Sequence, residues 1–469
     1  MADNKKPYAS SFELKTVKIF RVKSNEAYDI TDLVQRFDYF ESVTSPVISG
    51  TIVLVDTGSN IVSSLPIQGT ERVEITLISP SDDEFVYDLV VYKIGNRFSG
   101  ERFQTYTLGL ISKDGLINEG VRITKTLSGK PNAIVKDLLN NYLKTDKDLL
   151  DEEAQFNIIF NAGKKSPFSI IQTIQPKAVP SSVKTTITNP EGTSSGSSTN
   201  NSNSELPPTD SDAYGKVTGS AGYFFFETRE EYVFKSIDSL CSADNSLGIF
   251  YQEPIDGTST PDKKILNIDF MNEIDILSKL RTGAFSSVIC YYNFSTGAYE
   301  EYVYSLEKSY ETMNHLGSQK GLPYGQKEMS KYPTRVMSAI LDHETWFDGE
   351  EAASPEKRDG ENGAAEFPDY QKYYMAQAIS RLNSLTVQKV KIKINGRPDI
   401  KAGDTIEIMI PNQVAEEEKV KEKFDPEHSG AYLISDVNHV FVSKERRCFT
   451  FLTLIRDSYG MKDYASKTQ

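Results

Sequence analysis

Apolar and polar residues alternate near both ends of the chain, most sharply in KIKINGRPDIKAGDTIEIMIP, Lys391–Pro411. Val390, Ile392 and Ile394 fall on one side of an extended backbone, and Lys391, Lys393 and Asn395 on the other. After a Gly/Pro-rich link, Ile406, Ile408 and Ile410 oppose Thr405, Glu407 and Met409. A period of two predicts strands with one buried and one exposed face. Gly396 and Gly403-Asp404 supply the backbone freedom for the reversal, and Pro411, which has no amide hydrogen to donate, stops the second strand.

The first part of the chain carries the same kind of signal. LKTVKIFRV, FDYFESV, VISGTIVLVDT, ERVEITLIS, EFVYDLVVYKI and FQTYTLGLI are short β-type runs divided by Ser, Pro, Gly, Asp or Asn. Closely spaced strands of this length predict a barrel or sandwich, ending near Asp114–Gly115. IQGTERVEITLISP (Ile67–Pro80) and IKAGDTIEIMIP (Ile400–Pro411) both pass from a glycine through a polar pair into a Val/Ile–Glu–Ile core and a proline. Chance convergence of two strands and an internal repeat both account for this. Val73, Glu74, Ile75 and Leu77 in the first phrase, and Ile392, Ile394, Ile406, Glu407, Ile408 and Ile410 around the second, are the candidate wall residues.

Helical spacing appears between these ends. In SGKPNAIVKDLLNNYLK, Pro131 sits in the first turn and Ile134, Val135, Leu138, Leu139, Tyr142 and Leu143 recur on one side. SPFSIIQTIQP offers Ser166 as a cap, Pro167 at the first position and Pro176 as a stop. Tyr223–Glu227 and Glu231–Phe234 read as paired strands, and Phe234, Ile237, Leu240 and Cys241 fit a short helix. AFSSVICYYNFSTGAYEEYVYSLE predicts two strands joined at Ser295-Thr296-Gly297. Asp369 is placed to cap a helix with Met375, Ile379 and Leu382 on its buried stripe. Pro180–Ala213 has almost no sizeable apolar residues, so it reads as a mobile linker or surface insertion.

Composition narrows the function. A net charge of −14 argues against tight, sequence-independent nucleic-acid binding; it is compatible with a surface past which DNA slides, and an acidity that merely aids solubility is the simpler reading. Cys241, Cys290 and Cys448 show neither metal-type spacing nor a disulfide framework, and are expected as small core residues. The opening MADNKKPYASSFELK lacks the apolar stretch of a signal peptide, and no run of about 18 apolar residues predicts a membrane span. Synthesis and assembly in a cytoplasm are expected, without membrane insertion.

FDYFESVTSPVISGTIVLVDTGSN, AGYFFFETREEYVFKSIDSL, GAFSSVICYYNFSTGAYEEYVYS and INGRPDIKAGDTIEIMIP with the two runs that follow it, taken in order, resemble the baseplate hub protein of contractile-tailed (myovirus) bacteriophages. More distantly they are similar to the hub portion of type VI secretion spike proteins. The resemblance implies a β-rich α+β fold with two tube-type antiparallel β-barrel domains and inserted helical and loop regions. It implies a homotrimer whose six barrels form a ring, joining a hexameric tail tube or tube-initiator ring to a trimeric spike protein, beside baseplate wedge proteins. DNA would pass through transiently, and the protein would belong to the virion. The expected division is residues 1–116, first barrel; 117–179, helix-containing insertion; 180–213, linker or mobile loop; 214–300, strands of the second half; 301–384, loop-rich insertion ending in a helix; and 385–469, second barrel and tail.

Catalytic chemistry is hard to find. His315, His343, His428 and His439 do not pair at metal-site spacing. His439, on a predicted strand, is expected as a hydrogen-bonded wall residue, and His343 as a loop residue beside Trp346. GTSSGSS lacks the lysine of a phosphate-binding loop, and no G-x-S-x-G elbow occurs. The Glu230/Glu231 and Glu417/Glu418 pairs are ordinary for so acidic a chain, and Glu416–Glu427 reads as a solvated loop or short charged helix. No cofactor or metal is expected. A non-enzymatic structural hub is the leading expectation; a carboxylate-dependent cell-wall polysaccharide hydrolase and a type VI-like spike hub are the alternatives.

Overall fold

The computed structural model describes residues 9–22, 26–57, 67–101, 103–155, 157–181, 184–186, 216–218, 221–242, 246–252, 260–271, 275–293, 299–341, 366–412 and 424–461. Most of the 180–213 segment, the acidic stretch before Glu366, His343, and the 294–298 turn lie outside these residues.

Hydrogen bonds join strands from both ends of the chain into one thirteen-stranded sheet. Its order runs Ala27–Asp29, Glu13–Phe20, Arg72–Ile78, Glu84–Ser99, Gln104–Ile111, Ser49–Asp56, Val34–Ser42, Gly430–Val442, Arg447–Arg456, Gln388–Asn395, Ile265–Met271. Thr405–Met409 pairs with the start of Gly430–Val442, and Ser246–Tyr251 lies beside it. Among the described residues the sheet stays open and neither half closes its hydrogen bonding into a barrel, so the chain is β-rich with one large, mainly antiparallel sheet.

The two halves repeat one topology. Taken along each half, Val34–Ser42, Ser49–Asp56, Gln104–Ile111, Glu84–Ser99, Arg72–Ile78 and Glu13–Phe20 match Ile265–Met271, Gln388–Asn395, Arg447–Arg456, Gly430–Val442, Thr405–Met409 and Ser246–Tyr251. Their irregularities match as well. Glu84–Ser99 slips against Gln104–Ile111 between Val91 and Lys93, and Gly430–Val442 slips against Arg447–Arg456 between Ile434 and Asp436. Val34–Ser42 slips after Val34, and Ile265–Met271 after Ile265. The related phrases enter their strands through the same turn: Thr70 donates to Val91 O and Val91 back to Glu71 O, while Gly403 donates to Ile434 O and Ile434 back to Asp404 O. Because a bulge displaces every later residue of a strand, two coincident bulges are hard to reach by convergence; they decide for an internal repeat. One pairing differs: Glu13–Phe20 runs antiparallel to its neighbour, Ser246–Tyr251 parallel.

Each half packs on its own apolar core. Val17, Ile19, Phe37, Ile52, Leu54, Ile75, Leu89 and Leu108 fill the first, and Ile392, Ile394, Ile406, Ile408, Leu433, Val437 and Leu454 the second. A third core belongs to the first insertion, where Pro131–Asp137 and Pro167–Ile174 are helical, with Pro131 and Pro167 opening them. Ser166 occupies the N-cap position but its side chain makes no capping bond. Tyr223–Glu227 separates the second and third cores: Phe224 and Phe226 enter one, Tyr223 and Phe225 the other. An unbroken aromatic run is what a strand buried on both faces requires.

A second insertion follows Ile265–Met271 and includes Ser286–Asn293 paired with Tyr299–Ser305 and Arg335–Leu341. Its helix spans Glu366–Ser384, so Asp369 lies inside it rather than at its cap. The expected stripe is also wrong: Met375 and Ile379 are half-buried and Leu382 is exposed, whereas Ala376, Ala378, Ser380, Arg381 and Ser384 are buried. Small side chains let the helix backbone approach closely, and Ser380 reaches the carbonyl of Ala284. Cys241 and Cys448 are buried, and Cys290 is partly buried. Among the described residues no helix is long and apolar enough to cross a membrane.

Candidate functional site: the junction between the repeats

The two repeats meet where Gly430–Val442 changes partner. Its first residues pair with Thr405–Met409; after the bulge at Ser435, Asp436–Val442 pairs antiparallel with Val34–Ser42, from Asp436 opposite Ser42 to Val442 opposite Arg36. The bulge redirects the strand, and Val43 N donates to Ser435 O across the break. Ser42 Oγ donates to Asp436 Oδ1 at 2.6 Å, adding a side-chain bond to the backbone ladder.

Glu41 fastens three parts of the chain at this seam. Its carboxylate accepts from Tyr39 Oη at 2.7 Å, from Arg229 N at 2.8 Å and from Ala402 N at 3.0 Å. Those donors come from the first repeat, the loop after Tyr223–Glu227, and the turn of the second repeat. Burial pushes the Glu41 carboxyl above its ordinary range, and the three donated bonds oppose that rise. Glu227 is a second buried carboxylate: it accepts from Ile48 N at 3.1 Å and from Lys147 Nζ at 2.8 Å. Burial raises it too, against the pull of Lys147. Buried carboxylates held by several donors stiffen a structure, because losing one partner leaves a desolvated charge.

His439 is brought into this seam, stacked on Tyr39 and in contact through Nδ1 with Thr450 Oγ1 at 3.0 Å and through Nε2 with Ile400 O at 3.3 Å. Burial lowers it to about 4, so it is neutral near pH 7. The other candidates are divided between the two cores. Val73, Ile75 and Leu77 are buried in the first, and Ile392, Ile394, Ile406, Ile408 and Ile410 in the second. Glu74 and Glu407 occupy equivalent places in the repeats; Glu74 accepts from Arg72 at 2.9 Å, and burial raises the Glu407 carboxyl. Tyr39, Glu41, Arg229 and Ala402 were missed by the sequence reading, and a carboxylate inside FDYFESV gives no sign of distant backbone partners.

A cleft of about 570 Å³ crosses the seam on the face away from the cores, lined among others by Phe40, Phe451, Lys391, Lys393, Asp269 and Asp436. Its mixed charge offers no dedicated phosphate or metal cage, and no group of three or more His, Cys, Asp or Glu placed to hold a metal occurs among the described residues. A histidine–carboxylate contact elsewhere, His315 Nδ1 with Asp457 Oδ2 at 2.8 Å, belongs to a buried cluster with Arg381, Asp238 and Asn314. It ties the second insertion to the end of the last strand. Burial alone would raise the Asp457 carboxyl, but Arg381 and His315 hold it far below the usual range.

No protein-family model matches the sequence, and no curated protein matches it. Among solved structures, the tail protein from Neisseria meningitidis MC58 aligns with a TM-score of 0.50 at 8% identity, over 97% of this chain and 100% of that one. The two share a fold. The 43 kDa tail protein of prophage MuSo2 from Shewanella oneidensis aligns at TM-score 0.44 and 9% identity, over 95% and 98% of the two chains. An E. coli component of the type VI secretion system aligns at 0.38 and 8%, over 96% and 78%.

Proposed function

We propose that the chain is a structural hub subunit of a contractile phage-tail baseplate. The observation that carries this reading is the internal repeat joined edge to edge: one polypeptide carries two halves of the same topology in a continuous sheet, which would serve as two equivalent wall units. Three such chains would present six equivalent units to a hexameric tube while keeping threefold symmetry toward a trimeric spike. That arithmetic solves a symmetry mismatch with one gene product. The fold shared with a tail protein supports the same reading. In this role the protein works through stiffness and geometry, standing between tube and spike beside wedge proteins, with DNA passing through its bore, in a virion assembled in the host cytoplasm.

The test is the mass of the purified chain, alone and with the candidate spike and tube proteins, by light scattering and electron microscopy. A trimer with six-lobed projections is expected. A chain that stays monomeric with both partners, or that turns over cell-wall polysaccharide at enzymatic rates, overturns the reading.

A further inference from the structure

The repeat predicts a contact that a single chain leaves unmade. Within the chain, the outer half of Gly430–Val442 pairs with Val34–Ser42. Their counterparts are the outer half of Glu84–Ser99 and the strand Ile265–Met271. Among the described residues neither counterpart has that neighbour. Arg72–Ile78 covers Glu84–Ser99 only as far as Val90, and Ile265–Met271 ends the sheet among the described residues. Both edges expose large apolar side chains: Phe98 is 62% exposed, Leu266 43% and Phe270 42%. Bare edges with apolar side chains are strong templates for pairing with another chain. Their charges differ in sign, with Lys93 and Arg97 on one and Asp269 on the other.

We infer that the outer half of Glu84–Ser99 pairs antiparallel with Ile265–Met271 of a second copy, reproducing between chains the junction made within each chain. The shared bulges set the register. Gly95 stands two residues past the slip at Lys93, as Asn438 stands past Asp436; Met271 stands four past Asn267, as Phe40 stands four past Arg36. Asn438 lies opposite Phe40, so Gly95 of one copy lies opposite Met271 of the next. Beyond Gly95, a further slip before Phe98, absent from the second repeat, re-phases the strand. The contact is head-to-tail, using different surfaces on the two copies, so it propagates until the rotation closes a ring. Junctions within and between chains then alternate around that ring.

This inference rests on the hub reading but fails separately from it. Full-length chains carrying Gly95→Cys or Met271→Cys, each with Cys290→Ser, are mixed and oxidised with copper-phenanthroline. A disulfide-linked dimer of the two variants is expected, because directly opposed strand residues bring their Cβ atoms within disulfide reach. Gly95→Cys mixed with Asp269→Cys, displaced by two residues, is expected to cross-link at least tenfold more slowly. Phe98→Glu, at an exposed position, is expected to keep its melting temperature and lose the oligomer. A trimer that forms without the Gly95–Met271 cross-link overturns this pairing and leaves the hub reading standing. A monomer under every condition, with tube and spike proteins present, overturns both.

Discussion

The ring of Tyr39 lies parallel to the imidazole of His439, their planes 9° apart and their centroids separated by 5.9 Å. The two residues are directly opposed across the seam between the repeats and are 400 positions apart in sequence. Tyr39 also donates to Glu41, so one short strand carries both the stacking and the polar staple of the seam.

Glu41→Ala removes the acceptor for Tyr39 Oη, Arg229 N and Ala402 N together. Three buried donors left without a partner are expected to destabilise the fold by about 3–5 kcal/mol. Glu41→Gln retains an acceptor oxygen and should cost markedly less. Urea midpoints with unchanged slopes check both.

Titrations of His439 and of Asp404 act in opposite directions on the seam. Burial depresses His439 to about 4 in the folded chain, so its contribution is fully present above its unfolded value of about 6.5 and falls as pH drops toward 4. Burial raises Asp404 to about 6, so the folded chain binds the extra proton and stability falls as pH rises from about 4 to 6. Asp404→Asn removes only the second of these. Its thermal midpoint should match the parent near pH 4, pull ahead of the parent as pH rises to about 6, and stay above it at neutral pH.

Arg381→Met strands Asp457 in the interior beside His315 and is expected to cost about 3–5 kcal/mol. The parent chain loses the contribution of Asp457 only below the ordinary carboxylate range, since its folded pKa is depressed. Calorimetry from about pH 5 down to about pH 2 should therefore show a variant with a smaller acid-dependent loss.

The paired turns separate backbone strain from packing. Gly69 and Gly403 have φ of +97° and +88°. A Cβ at Gly69 meets nothing nearer than Val91 O at 3.9 Å, whereas at Gly403 it comes within 2.5 Å of the Phe226 ring. Gly69→Ala should cost about 1–2 kcal/mol from left-handed backbone strain alone. Gly403→Ala adds overpacking of about 1–3 kcal/mol, so its thermal midpoint should drop further.

Much of the sheet was legible in the residues. Alternation placed Ile392, Ile394, Ile406, Ile408 and Ile410 on one buried side, and the phrases beginning at Ile67 and Ile400 carried the trace of a repeat. The Glu366–Ser384 helix was misjudged because apolar spacing was read as burial, whereas small residues and one ion-paired arginine line its packed face.

Side-chain periodicity is a local property, so the sequence by itself determined many of the strands and which face of each seeks a core, although Ser246–Tyr251 and Ile265–Met271 went unread. The meeting of Val34–Ser42 with Gly430–Val442, and the gathering of Arg229 and Ala402 onto Glu41, were decided only by the tertiary structure. Those contacts are made by backbone amides, which every residue except proline carries alike, so no residue type announces them.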